Sequence, residues 1–113
     1  MVTLLKSLRK NRNKKRINNY KVVIVPDNPR EEQVQDNTVY LVGTKKFLKW
    51  AYLKCPSGCG EVIMLSLNPN SYPSWRVKIS RGGLPTFSPS IFKQDGCKSH
   101  FWIQKGRVIW CKY

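Results

Sequence analysis

A β-hairpin near the C-terminus is predicted by the stretch Phe101-Trp102-Ile103-Gln104-Lys105-Gly106-Arg107-Val108-Ile109-Trp110. Two runs of β-branched and aromatic residues flank a Lys-Gly pair, and Gly106 can supply the positive φ that a two-residue turn requires. Such a turn pairs Phe101 with Trp110, and one step further His100 faces Cys111. Directly opposed residues have Cβ atoms about 4.5–5.5 Å apart. The hairpin therefore predicts that the single histidine and the last cysteine project from the same face.

The rest of the chain before this hairpin also reads as strands. Short β-branched or alternating runs end at proline, glycine or asparagine, and no internal segment has a long helical period. We predict strands at 20–25, 38–42, 47–53, 61–67 (buried on both faces) and 75–79, the last with Trp75, Val77 and Ile79 pointing inward. The predicted fold class is mainly β: one small antiparallel domain, stabilised by zinc, over residues 20–113.

Two short segments carry the residues of a candidate metal site. Cys55 and Cys59 lie in a Gly-rich loop, and Cys97 and His100 immediately precede the hairpin. Structural zinc takes four tetrahedral nitrogen or sulfur ligands, so these four residues predict one structural Zn²⁺. Cys111, which faces His100 in the hairpin, is the alternative fourth ligand. The competing interpretation is a set of small buried thiols and one hydrogen-bonded histidine, because this spacing alone is not diagnostic.

Several motifs in a fixed order resemble the bacterial family called domain of unknown function 6527. They are Trp50-Ala51, Cys55-Pro56-Ser57-Gly58-Cys59-Gly60-Glu61, Trp75, Pro89-Ser90-Ile91, Cys97-Lys98-Ser99-His100-Phe101-Trp102-Ile103 and Trp110. The resemblance covers roughly residues 20–111 and implies a metal-binding β domain, in a family often encoded beside bacterial ubiquitin-like conjugation genes. The family usually has a further cysteine at the position of Ser57 and often a histidine at that of Leu53.

The function expected from these features is non-enzymatic. We expect a zinc-stabilised binding or adaptor module whose partner is a protein, which family context would attach to a ubiquitin-like modification system. A zinc deaminase requires an H-x-E motif upstream of its cysteines, and the sequence has none. A closed four-ligand zinc site also lacks the open position that catalysis uses. A metal-dependent or Cys/His enzyme, with Cys111 and Asp95 beside His100, is the minor alternative.

The charge of the chain suggests a different function, nucleic-acid binding. The 113 residues include 21 Lys and Arg against 6 Asp and Glu, for a net charge of +15. Residues 1–19 form a basic arm, and lysines interleave with aromatic residues between 45 and 54, a pattern that can contact phosphates and stack on bases. The candidate polyanion-binding residues are Arg9, Lys10, Arg12, Lys14, Lys15, Arg16, Lys45, Lys46 and Lys49.

The compartment is expected to be the cytoplasm. No apolar run approaches the ~20 residues that span a bilayer, and the apolar side of the arm is too short for firm attachment to a membrane surface. A reducing compartment favours free or metal-bound thiols over disulfides for the four cysteines.

Overall fold

The protein consists of nine short strands, as seen in a computed structural model that describes residues 19–111. The strands are β1 (Lys21–Val25), β2 (Thr38–Thr44), β3 (Phe47–Lys54), β4 (Val62–Ser66), β5 (Arg76–Ile79), β6 (Pro85–Ser88), β7 (Ile91–Phe92), β8 (His100–Gln104) and β9 (Arg107–Trp110). The only helical turn in this part of the chain is a 3₁₀ turn at Glu31–Gln33. The prediction of a mainly β domain is confirmed.

The strands form three sheets. β1 to β4 form one sheet in chain order, β5 pairs with β6, and β7 to β9 form the third sheet. All pairings are antiparallel except that of β1 with β2, which is parallel because the 3₁₀ turn and its flanking loops return the chain to the starting end of β1. The predicted strand positions match β1 to β5 to within one or two residues.

The C-terminal hairpin has the register that its sequence predicts, with Phe101 opposite Trp110 and Gln104 opposite Arg107. Lys105 and Gly106 both have positive φ, as a tight turn of this kind requires. The turn packs into the domain, because Gly106 accepts a hydrogen bond from the Tyr20 amide and donates one to the Pro85 carbonyl. It thereby ties the third sheet to the other two.

The core lies between the sheets and draws on all three. Its fully buried side chains include Tyr20, Leu41, Leu53, Phe87 and Phe101. Tyr20 also donates a hydrogen bond from its hydroxyl to the Lys54 carbonyl, at 2.6 Å. The remaining members of the core are Val39, Ala51, Cys55, Ile63, Leu65, Ile91 and Ile103. The core is therefore a single apolar cluster that fixes where the connecting loops emerge.

Two burial predictions were wrong. β4 is not buried on both faces, since Met64 is 51% exposed, and the strand has one apolar face towards the core. Ile79, predicted to point inward, is 42% exposed. Met64 lies on the face of β4 opposite to the buried Ile63 and Leu65, and Ile79 is the last residue of β5, so an apolar residue in these strands did not require burial.

Candidate functional site

Three cysteines converge on one point of the structure. Cys55 follows β3, Cys59 lies in the loop between β3 and β4, and Cys97 lies in the loop between β7 and β8. Their Sγ atoms all lie within 4.8 Å of one another, and those of Cys55 and Cys97 are 3.6 Å apart. Cys55 is buried, whereas the other two are exposed. The fold therefore joins two loops that are some forty residues apart through a thiol cluster, which we define as Cys55, Cys59 and Cys97.

Two serine hydroxyls complete the surroundings of the thiol cluster. Ser99 Oγ lies 3.1 Å from Cys97 Sγ, and Ser57 Oγ lies 3.2 Å from Cys55 Sγ and 3.5 Å from Cys97 Sγ. Hydrogen bonds from Ser99 and then Ser57 lower the pKa of Cys97 to about 6, because they stabilise the thiolate. Burial raises the pKa of the Cys55 thiol. Of Cys55 and Cys97, Cys97 is thus the one whose thiol ionises more readily.

The thiol cluster has the dimensions of a metal site. A tetrahedron with zinc–sulfur bonds of about 2.3 Å has sulfur–sulfur edges of about 3.8 Å. The distance of 3.6 Å between Cys55 and Cys97 is close to such an edge, and the three thiols together could hold a metal ion. His100 and Cys111, the two candidates for the fourth ligand, are not members of this group among residues 19–111.

An ion pair flanks the thiol cluster. Lys93 Nζ contacts the carboxylate of Glu61, which follows the Cys59-Gly60 turn. The hydrogen bond to Glu61 raises the pKa of Lys93, and the charges of Cys97 and Cys59 act in the same direction. The amide of Lys93 also donates to the Ser99 carbonyl. The ion pair therefore braces the same two loops that carry the thiols.

His100 instead makes a short contact with a serine. Ser90 lies between β6 and β7, and His100 is the first residue of β8. The pairing of Ile91 with Phe101 and of Phe92 with His100 brings the two residues together. Ser90 Oγ and His100 Nε2 are 2.8 Å apart, and both side chains are half-buried. We call these two residues the Ser–His pair.

Neighbouring aromatic rings hold the Ser–His pair in place. The indole Nε1 of Trp75 donates a hydrogen bond to the Ser90 carbonyl at 3.1 Å. The ring of Phe92 lies against the imidazole of His100, with centroids 4.9 Å apart and a tilt of 37°. These contacts restrict the rotation of the imidazole and fix the backbone that carries Ser90. The Ser90 hydroxyl lies within hydrogen-bond distance of His100 Nε2, which can accept its proton when the imidazole carries its own proton on Nδ1.

A basic cleft begins beside Ser90. It has a volume of about 1020 Å³ and is bordered by β5, by the end of β6 and by the start of β3. Ser88 and Pro89, the two residues before Ser90, line it, as does Trp75. Four cations line its wall, namely Lys45, Lys46, Arg76 and Lys78. The cleft thus ends at the residues that precede Ser90.

A serine and a histidine at this distance are the two groups that a serine hydrolase needs for nucleophilic attack. Comparison with protein-family models gives an independent match over residues 24–111, to a family described as bacterial ubiquitination-like system serine protease (BubE). The chain belongs to the BubE family. No curated protein and no solved structure matches the chain.

Membership of the BubE family corrects the functional prediction. The expectation of a non-enzymatic module was wrong, because the family is described as a serine protease. The association with a bacterial ubiquitin-like modification system is confirmed at the level of the family. The likeness to domain of unknown function 6527 remains a resemblance, since the matching family model carries the BubE name.

Ser90 was not predicted to be a functional residue. Pro89-Ser90-Ile91 was noted only as a motif, and His100 was assigned to zinc, so that it served as a base only in the minor Cys/His alternative, with Cys111 rather than a serine beside it. The signal was present but weak, since it consists of one serine among many and one histidine ten residues later. Only the pairing of β7 with β8 shows that the two side chains meet.

The candidate polyanion-binding residues divide into two groups. Arg9, Lys10, Arg12, Lys14, Lys15 and Arg16 lie outside the described residues, as does nearly all of the predicted arm. Lys45, Lys46 and Lys49 are exposed, and the first two line the basic cleft. Nucleic-acid binding by these residues remains a prediction. Within residues 19–111 there is no helix of the length and apolar character needed to cross a membrane.

Proposed function

We propose that this protein is a serine peptidase of a bacterial ubiquitination-like system, with Ser90 as nucleophile and His100 as general base. The observation that carries the proposal is the distance of 2.8 Å between Ser90 Oγ and His100 Nε2. The description of the BubE family as a serine protease supports the reaction class. The substrate on this proposal is a protein of the same modification system.

The geometry supports acyl transfer in two steps. Ser90 Oγ attacks the carbonyl carbon of the scissile bond while His100 Nε2 accepts the hydroxyl proton. The resulting imidazolium returns that proton to the leaving amine, and an acyl-enzyme ester forms on Ser90. Water then attacks the ester with His100 again accepting a proton, and the released Ser90 alkoxide recovers that proton. The roles of base and acid therefore fall on one nitrogen, which the Phe92 ring and β8 hold in position.

A covalent serine probe tests this assignment without knowledge of the substrate. The full chain is treated with a fluorophosphonate, and the modified residue is located by peptide mass spectrometry. We expect one adduct, on Ser90, none with Ser90→Ala, and labelling at least about a hundredfold slower with His100→Ala. The matched control is Ser88→Ala, which removes an exposed serine two residues away. This variant should still be labelled on Ser90 at the rate of the parent chain. An adduct on another serine, or equal labelling of the His100 variant, would contradict the proposal.

We further propose that the thiol cluster holds one structural zinc ion. Cys55, Cys59 and Cys97 supply three sulfur ligands, and the fit of the Cys55–Cys97 distance to a tetrahedral edge supports this assignment. The sequence predicted His100 as the fourth ligand, but its Nε2 lies 2.8 Å from Ser90 Oγ. The hydroxyls of Ser57 and Ser99 both contact the thiols of Cys55 and Cys97, and only Ser57 also accepts a hydrogen bond from the Cys59 amide, so we assign the fourth position to Ser57 or to solvent.

The metal site and the Ser–His pair are linked through one short segment. Cys97 and His100 are separated by two residues, and the Ser99 hydroxyl between them contacts the thiols of both Cys97 and Cys55. Zinc bound by the thiols would hold the start of β8, and hence the imidazole, in place. Elemental analysis of the purified chain should find about one zinc per molecule, and Cys97→Ser should lose it. A full complement of metal in that variant would contradict the assignment.

A further inference from the structure

Among residues 19–111 the outer edge of β5 is hydrogen-bonded only at its start, where the Trp75 amide donates to the Ser66 carbonyl. β5 and β6 form a two-stranded sheet, and within residues 19–111 no other strand pairs with the far side of β5. Four consecutive residues, Trp75 to Lys78, line the basic cleft. Arg76 and Lys78 line the cleft together with their cross-strand partners Ser88 and Thr86, so one face of this sheet borders it. Val77 belongs to the opposite face and also lines the cleft, which places the edge of β5 against it as well. The cleft therefore presents an open strand edge.

The charge of the cleft selects for acidic ligands. Lys45 and Lys46 lie on one wall and Arg76 and Lys78 on the other, and the described residues that line the cleft include no Asp or Glu. Arginine binds carboxylates through two parallel hydrogen bonds, and lysine acts as a point charge. The other residues that line the cleft are mostly apolar, namely Leu48, Leu67, Pro69, Trp75, Val77 and Pro89, together with Ser74, Thr86 and Ser88. A ligand that alternates acidic and apolar side chains would match both kinds of surface.

Two residues that line the cleft adjoin Ser90. Pro89 lines the cleft and directly precedes Ser90, and Trp75 lines it while its indole donates to the Ser90 carbonyl. A chain bound along β5 would thus pass the residues that carry the nucleophile. Peptides added to a free strand edge gain affinity from main-chain hydrogen bonds and specificity from alternate side chains.

We infer that the cleft binds an extended acidic segment of the protein substrate as an additional strand on β5, an inference that rests on the proposed peptidase function. A peptide matches the cleft better than a nucleic acid does, because the strand edge offers main-chain partners that a nucleic acid does not use. In addition, Trp75 is the one aromatic ring among the described lining residues, whereas single-stranded nucleic acids stack successive bases on several rings.

Binding is tested with a fluorescein-labelled ten-residue peptide of alternating Glu and Val, and with the full chain carrying Ser90→Ala so that no turnover occurs. Fluorescence anisotropy should show saturable binding that the double substitution Arg76→Glu and Lys78→Glu weakens at least tenfold. The control double substitution is Lys21→Glu and Arg107→Glu, which changes two exposed cations outside the cleft by the same total charge. It should weaken binding less than threefold.

Two further peptides separate charge from strand addition. Replacing every Glu by Gln should weaken binding at least tenfold, and N-methylation of alternate peptide amides, which keeps all the charges, should do the same. Equal binding of the N-methylated peptide would overturn strand addition. An equal loss in the control variant would overturn the cleft as the site. Tighter binding of a ten-nucleotide oligothymidine that displaces the acidic peptide would overturn the peptide assignment.

The peptidase assignment is tested separately by the fluorophosphonate. In the Ser90-containing background, the Arg76→Glu and Lys78→Glu variant should be labelled at the rate of the parent chain, which also shows that it folds. Loss of labelling in the parent chain would refute the peptidase function even if the acidic peptide binds. Normal labelling without any peptide binding would refute only the inference about β5.

Discussion

Ser57 is the residue whose position says most about the thiol cluster. Its hydroxyl contacts the thiols of Cys55 and Cys97 and accepts a hydrogen bond from the Cys59 amide. The Ser57 hydroxyl thus contacts two of the three sulfurs, and its hydrogen bond to the Cys59 amide ties it to the residue that carries the third. An oxygen donor there is a weaker partner for zinc than a thiolate would be.

Replacing Ser57 by cysteine should therefore strengthen metal binding. A fourth thiolate would complete a Cys₄ shell, the closed set typical of structural zinc, and we expect zinc affinity to rise at least tenfold. Competition with a chromophoric chelator measures the change. The control is Ser71→Cys, which adds a thiol at an exposed serine bonded to Ser66 rather than to a cysteine. Unchanged or lower zinc affinity in the Ser57→Cys variant would show that residue 57 does not occupy the fourth ligand position.

At the scale of elements, the tip of the β8–β9 hairpin is a fixed contact point between sheets. Gly106 has a φ of 79° and is buried, with the Tyr20 carbonyl where a side chain would begin. The sequence predicted the turn from the Lys-Gly pair, because the conformational freedom of glycine is a local property. It did not predict the contact with Tyr20, which depends on how the sheets assemble.

Gly106→Ala should destabilise the fold by about 2 kcal/mol, because the added Cβ would lie 2.6 Å from the Tyr20 carbonyl oxygen in a backbone conformation unfavourable for alanine. Urea unfolding followed by tryptophan fluorescence measures the loss. Gly82→Ala is the control, since a Cβ there meets no atom within 4 Å. Its free energy of unfolding should change by less than about 0.5 kcal/mol. Equal effects of the two substitutions would argue against the packed turn.

Tyr20 precedes β1 and is hydrogen-bonded to β3, and its hydroxyl makes the free energy of unfolding depend on pH in the alkaline range. Burial raises the pKa of its hydroxyl above the ordinary value of 10.0, so the neutral form is favoured in the folded state. The contribution of this buried neutral hydroxyl to the free energy of unfolding is fully present below pH 10. It is lost as the pH rises above that value, because the phenol then ionises in the unfolded chain.

Tyr20→Phe should cost about 1 kcal/mol at neutral pH, since the hydrogen bond to Lys54 is lost. It should also flatten the fall in stability above pH 10. Thermal melts between pH 8 and 11 measure both effects. Tyr72, which is 97% exposed, supplies the control as Tyr72→Phe, for which neither effect is expected. A parent-like alkaline profile in the Tyr20 variant would contradict this account.

For the whole molecule, the thiol cluster is a point at which loops from two different sheets meet. It joins the loop after β3 to the loop before β8, and each loop belongs to a different sheet. Structural zinc contributes on the order of 10 kcal/mol, similar to the total stability of a small domain. The same junction holds the segment that carries His100, so stability and labelling of Ser90 should respond together to loss of metal.

Removing zinc with a strong chelator should lower the melting temperature by more than about 10 °C, because a few kcal/mol correspond to shifts of this size in a small domain. Labelling of Ser90 by the fluorophosphonate should slow in parallel, and both should recover when zinc is restored. Cys111→Ser is the control and should behave like the parent chain, since Cys111 lies outside the thiol cluster. An unchanged melting temperature in the chelated protein would refute a structural zinc.

The sequence by itself determined the local elements of this protein. The positions of β1 to β5, the register of the β8–β9 hairpin and the candidacy of Cys55, Cys59 and Cys97 followed from periodicity, turn residues and ligand spacing, which are properties of neighbouring residues. The short strands β6 and β7 were not predicted, because only their pairing with β5 and β8 makes them strands. Tertiary structure decided the partner of His100, because a 2.8 Å contact with Ser90 depends on the pairing of β7 with β8. It also decided that cations from β5 and the β2–β3 turn share one cleft. A side chain's chemistry follows from its type, but its partners follow from how the sheets pack.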